Sequence, residues 1–128
     1  MSGFYKRGYF MDSKELLEKV VKAADGRRAE DIVAMQVDQI SPMADYFVIM
    51  TGGSDRQVQA IVNAIVEMAH KNQIEIGSVE GKNAAQWVLV DLGDVVVHVF
   101  REDTRHFYNL EKLWSEAPLV NVDQWVND

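Results

Sequence analysis

A glycine turn is the first feature of this sequence that could do chemistry. Gly52-Gly53-Ser54 follows a short apolar run, 46–51, and precedes an amphipathic segment. A strand, a glycine turn and a helix in this order can present free backbone amides at a helix N-terminus, where a phosphate binds favourably. Ser54 and Gln57 also fit a capping box. We favour this ordinary helix cap as the interpretation of the turn.

A phosphoryl- or nucleotidyl-transfer enzyme remains an alternative, because the turn resembles the glycine-glycine-serine turn of nucleotidyltransferases. Those enzymes need paired carboxylates on the following strand to hold a divalent metal. The nearest pair here, Asp91 and Asp94, lies far along the chain with a predicted turn between its members. The sequence contains no complete dinucleotide fingerprint and no Walker lysine pattern. The enzyme would have to use Gly53, Ser54 and Asp91.

The three histidines offer little catalytic or metal chemistry. His70, His98 and His106 have no second ligand at metal spacing, and the chain has no cysteine. His98 near Asp91 could act as a general base, but no serine or cysteine nucleophile lies in a recognisable elbow. We therefore predict no catalytic residue, no cofactor and no metal, and interpret His98 as a hydrogen-bonded or interface residue.

A predicted β-hairpin positions these side chains. Two apolar runs, 87–92 and 95–100, are separated by Gly93-Asp94, which is typical of a type II′ turn. If position 92 opposes position 95, residues alternate between two faces. The aliphatic face comprises Val88, Val90, Leu92, Val95, Val97 and Val99. The other, which we call the mixed face, comprises Trp87, Leu89, Asp91, Val96, His98 and Phe100. The aliphatic face fits a core, and the mixed face must be covered by a helix of this chain or by another protein.

The rest of the chain predicts a single α/β domain. Capping boxes at Asp12 and Ser54 open two helices, and a last helix opens at Asp103 or Thr104. Further strands are predicted at 32–37, 46–51 and 74–79. This order favours a mixed sheet of about five strands flanked by helices. We expect residues 1–11 to be a disordered leader or remnant, 12–118 to form the domain, and 119–128 to be a tail.

Charge and composition restrict the partners. Of 128 residues, 13 are basic and 20 acidic, a net charge of −7. This charge disfavours extensive nucleic-acid binding, which depends on cations that neutralise phosphates, and suits a basic protein partner. The apolar runs are too short to span a membrane, and the absence of cysteine fits a reducing cytoplasm.

Five motifs occur along the chain in a characteristic order and spacing. They are D-Y-F-V-I-M-T-G-G-S-D-R-Q-V-Q-A-I at 45–61, E-G at 80–81, W-V-L-V-D at 87–91, V-V-H-V-F at 96–100 and R-x-x-Y-x-L-E-x-L-W at 105–114. Together they resemble the ribosomal silencing factor family, RsfS or Iojap, over about residues 13–118. The resemblance implies a nucleotidyltransferase-like fold without the active site.

The same resemblance implies a translation repressor rather than an enzyme. Members of the family bind the large ribosomal subunit through ribosomal protein L-fourteen and obstruct joining of the small subunit when nutrients are short; they often form homodimers. The contact residues it implies are Trp87, Leu89, Asp91, His98, Phe100, Arg105 and Tyr108. A third interpretation is an obligate dimer whose mixed face joins the two protomers.

Overall fold

One six-stranded mixed sheet organises the domain. The computed structural model describes residues 4–6, 9–107 and 117–126. Its strands are β1 (Phe4–Lys6), β2 (Tyr9–Met11), β3 (Glu30–Gln36), β4 (Tyr46–Gly52), β5 (Ser78–Glu80), β6 (Trp87–Asp91), β7 (Val95–Arg101) and β8 (Leu119–Val120). Its helices are α1 (Ser13–Asp25), α2 (Asp55–Lys71), α3 (Glu102–Phe107) and a 3₁₀ helix (Asp123–Trp125). The large sheet has the order β5-β6-β7-β4-β3-β8, in which β4 and β7 are parallel neighbours.

The predicted mixed α/β fold is confirmed, with six strands in the sheet where we expected about five. The additional strand is β8, which pairs antiparallel with β3. The strand predicted at 74–79 is displaced to β5, because Ile74 instead closes the end of α2 through a bond from its backbone amide to the Ala69 carbonyl (2.8 Å). None of the helices in the described part of the chain is long and apolar enough to cross a membrane.

The main core lies between the two long helices and the aliphatic face of the sheet. Both helices begin at the predicted caps: Asp12 accepts from the Glu15 amide and Ser54 from the Gln57 amide. Each helix then presents one apolar stripe to the sheet, as its spacing predicts. The stripes comprise Leu16, Leu17, Val20, Val21 and Ala24 of α1 and Val58, Ile61, Val62, Ile65 and Ala69 of α2. Full burial of each large aliphatic side chain contributes about 1.5–3 kcal/mol.

Both ends of the chain contribute more structure than the sequence predicted. β1 and β2 form an antiparallel hairpin within the leader that we expected to be disordered, in keeping with the high β-propensity of its aromatic residues. Met11 is buried in the main core. At the other end, Trp125 is 7% exposed and belongs to the same core. The described part of the supposed tail therefore packs on the domain.

The hairpin of β6 and β7 has the predicted register. The Leu92 amide donates to the Val95 carbonyl (3.0 Å), and Trp87 pairs with Phe100. Gly93 takes the positive φ (85°) that the first central position of a type II′ turn requires. The mixed face therefore exists as a single face, and it continues onto β4, where Phe47, Ile49 and Thr51 are register partners of Val96, His98 and Phe100.

Candidate protein-binding face

Four rings form an aromatic cluster on the mixed face: Phe47, Trp87, His98 and Phe100. The Trp87 and Phe100 rings stack at 5.1 Å between centroids, and Phe47 meets His98 edge-on at 5.6 Å. The Trp87 indole Nε1 donates a hydrogen bond to His98 Nδ1 (3.1 Å). The indole is thus fixed by a stack on one ring and a hydrogen bond to another.

His98 is suited to hold this tryptophan. It is 6% exposed, and burial lowers its pKa to about 4, because the charged imidazolium loses its hydration. The neutral ring can accept at Nδ1, which protonation of that nitrogen would prevent. The predicted role of a hydrogen-bonded histidine is therefore confirmed.

Exposure divides the strand residues that were predicted to bind a partner. Trp87, Leu89 and Asp91 on β6 are partly exposed, whereas Phe100 is fully buried and His98 nearly so. A buried ring cannot contact a partner directly. Phe100 instead holds Trp87 by stacking on it, and His98 holds it by accepting a hydrogen bond. Asp91 also has a local task, because its Oδ1 accepts from the Gly93 amide (2.8 Å) and stabilises the hairpin turn.

Arg105 bonds within the chain. Its Nη1 donates to the Asp31 carbonyl (2.6 Å) and to the hydroxyl of buried Thr51 (2.7 Å). These bonds tie α3 to the ends of β3 and β4. These atoms of Arg105 have a structural role, and its predicted contact with a partner stays a prediction. Tyr108 lies outside the described residues and stays a prediction.

The glycine turn and the start of α2 are hydrogen-bonded to each other. The Gly53 amide donates to Gln57 Oε1 (2.7 Å), and the Ser54 hydroxyl accepts from the Gln57 amide (3.1 Å). A phosphate would have to displace both of these contacts. The helix-cap interpretation of the turn is thereby confirmed.

The surroundings of the turn also disfavour an anion. An open depression of about 380 Å³ is lined by Gly53, Arg101, Glu102 and Asp103. The Arg101 guanidinium is already paired with Asp103 (2.7 Å) and Asp55 (2.7 Å), and its hydrogen bond lowers the pKa of Asp103. The three carboxylates around this one cation would repel a nucleotide phosphate. Among the residues that the structure describes, no three histidine or acidic side chains form a group that could hold a metal.

Phe47 and Val96 belong to the same partly exposed area, although sequence reasoning left them out of the site. They are register partners on β4 and β7, and both are half-buried. The alternation of β7 already placed Val96 on the mixed face. The position of Phe47 depends on β4 lying beside β7, which no local pattern in the sequence indicates.

Fold and face together define a small mixed α/β domain with an internally capped glycine turn and a partly exposed aromatic face. The family model "Ribosomal silencing factor during starvation" matches residues 11–128. The ribosomal silencing factor RsfS of Bacillus subtilis is 52% identical over 117 residues, which cover 91% of this chain and 99% of that protein. The chain therefore belongs to the RsfS family.

Two solved structures share this fold. A crystal structure of a Bacillus halodurans protein has a TM-score of 0.78 at 49% identity and covers 85% of this chain and 99% of its own. A crystal structure of a Chromobacterium violaceum protein has a TM-score of 0.80 at 31% identity, with 82% and 88% covered. The resemblance inferred from the five motifs is thus confirmed in sequence and in fold.

Proposed function

We propose that this chain is a cytoplasmic ribosomal silencing factor that binds the large ribosomal subunit through ribosomal protein L-fourteen. By occupying that surface it would block joining of the small subunit and repress translation under nutrient limitation. The mechanism is steric, with no catalytic step and no cofactor. The observation that carries the proposal is the line of partly exposed side chains on β6, Trp87, Leu89 and Asp91, in a chain of the RsfS family.

The chemistry of these side chains suits a protein partner. Because the Trp87 Nε1 already donates to His98, the indole has no hydrogen-bond donor to offer and contributes apolar contact area. Trp is enriched at the energetic centres of interfaces, particularly when its orientation is fixed before binding. Asp91 adds a carboxylate at one end of the line, and the net charge of −7 favours encounter with a basic surface.

Co-sedimentation with separated ribosomal subunits tests the proposal. We expect the chain to sediment with large subunits and not with small ones. Asp91→Asn keeps an oxygen that can accept from the Gly93 amide but removes the charge, so it should weaken binding most at low salt. Asp123→Asn, at an exposed carboxylate on the 3₁₀ helix, is the matched control and should bind like wild type. Failure of the wild-type chain to sediment with large subunits would refute the proposal.

Members of the family often form homodimers, and sedimentation velocity would detect a homodimer of this chain. If the mixed face served only to join protomers, Asp91→Asn would change the dimer equilibrium and leave large-subunit binding unchanged. That outcome would favour the obligate dimer over the proposed ribosomal contact.

A further inference from the structure

The partly exposed area of the mixed face is wider than β6. Strand registers place Asp91, Val96 and Phe47 side by side in one row across β6, β7 and β4. Leu89 and Trp87 follow on β6, and buried His98 lies opposite Leu89. The five partly exposed side chains therefore border one buried ring, His98, whose partner on β4 is buried Ile49.

The size of protein interfaces requires such an extension. Stable interfaces engage about 20–30 residues on each side, so three side chains of a single strand cannot form a complete contact. Towards the C-terminal ends of β7 and β4 the mixed face is closed, because Phe100 and Ile49 are buried. On β3, Met35 beside Phe47 is buried as well. The apolar direction that stays open among the described residues is across β7 to β4.

On the other side of β6, towards edge strand β5, the mixed face is polar. On edge strand β5, Ser78 pairs with Asp91 and Glu80 pairs with Leu89, which puts both side chains on the mixed face. Glu80 is exposed and Ser78 is partly exposed. An apolar centre bordered by carboxylates at Glu80 and Asp91 has the usual anatomy of an interface, with an apolar core and a polar rim.

We infer that Phe47 and Val96 are contact residues of this face, with Glu80 on its rim. The occupant is a basic protein surface that presents an apolar side chain next to lysine or arginine. This inference rests on the proposed function and extends it, because it assigns β4, β5 and β7 to the same contact as β6. Charge complementarity supports this occupant: the rim is acidic and the whole chain carries −7.

One experiment compares two partly exposed valines on opposite sides of the sheet. Val96→Lys places a cation inside the inferred contact, and we expect affinity for purified large subunits to fall at least tenfold. Val66→Lys makes the same change on α2, which packs on the aliphatic face. Because the two variants have the same net charge, long-range attraction is matched. Val66→Lys should stay within twofold of wild type.

A second pair covers the case in which Val96→Lys does not fold. Glu80→Lys and Glu75→Lys both reverse a charge at an exposed position, so both should keep the fold. We expect Glu80→Lys to weaken binding at least fivefold and Glu75→Lys to weaken it less than twofold. The inference would be overturned if the two variants of a pair weakened binding equally, or if folded Val96→Lys and Glu80→Lys bound as tightly as the wild-type chain. In either case, binding of large subunits by the wild-type chain would still support the proposed function. A wild-type chain that fails to bind large subunits would overturn both.

Discussion

Acidification from pH 7 to pH 5 should destabilise this fold through His98. The ring is neutral and buried in the folded chain with a pKa of about 4, whereas an unfolded histidine has a pKa near 6.5. As the pH falls below 6.5, the unfolded chain takes up the proton and the folded chain does not. The stability that this ring contributes is therefore complete above pH 6.5 and is progressively lost towards pH 4.

The shift of the His98 pKa sets the size of this effect. At 1.36 kcal/mol per pKa unit, lowering the pH from 7 to 5 should cost about 2 kcal/mol of unfolding free energy, and the full loss near pH 4 is about 3 kcal/mol. His98→Gln removes the titration and supplies an amide oxygen that can accept from the Trp87 indole.

Urea unfolding of both proteins at several pH values between 7 and 5 isolates this contribution. The carboxylates titrate in both proteins, so they cancel in the difference between the two curves. The variant should lose about 2 kcal/mol less than wild type over this range. Parallel curves would show that His98 keeps an ordinary pKa, and would refute the argument that burial keeps this ring neutral.

Three further outcomes follow from the geometry. Gly81→Ala should lower the unfolding free energy in urea by about 2 kcal/mol or more, because φ is +84° and a Cβ would collide with a backbone carbonyl. Gly53→Ala should lower it less, because its Cβ would meet only a flexible side chain at 3.3 Å. Equal losses in the two variants would contradict this prediction. Arg105→Gln should lose about 1–3 kcal/mol of stability through its broken hydrogen bonds, while the folded variant binds large subunits as wild type does. A variant with wild-type stability that no longer binds large subunits would instead support the predicted contact of Arg105 with a partner. Magnesium nucleotides should leave the Tm unchanged, since a ligand that binds the native state raises it, and a clear rise would revive the enzyme alternative.

The hairpin could be predicted because a local feature determines it. Gly93 sets the turn, the turn sets the register, and the register decides which side of the sheet Trp87 and His98 share. Alternation along two strands then separates the aliphatic face from the mixed face. Both long helices were predictable for the same reason, since their caps and apolar stripes lie within one stretch of sequence.

Features that depend on distant contacts were not predictable. β4 is apolar on both faces, so its periodicity does not reveal that β7 is its neighbour or that Phe47 meets His98. The acceptors of Arg105 lie 74 and 54 residues away in the sequence, at Asp31 and Thr51. The two-residue strand β8 is too short to have a period. In each case the position follows from tertiary packing, which a single sequence does not display.

A subunit-joining assay measures whether the bound chain keeps the small subunit from joining the large one. Large subunits are incubated with the chain, small subunits are added, and joining is followed by light scattering while a parallel sample measures how much chain is bound. We predict that the joined fraction falls in proportion to the large subunits occupied, and that Asp91→Asn needs a higher concentration for the same occupancy and the same inhibition. Full occupancy of large subunits with joining at the uninhibited rate and extent would contradict the steric account.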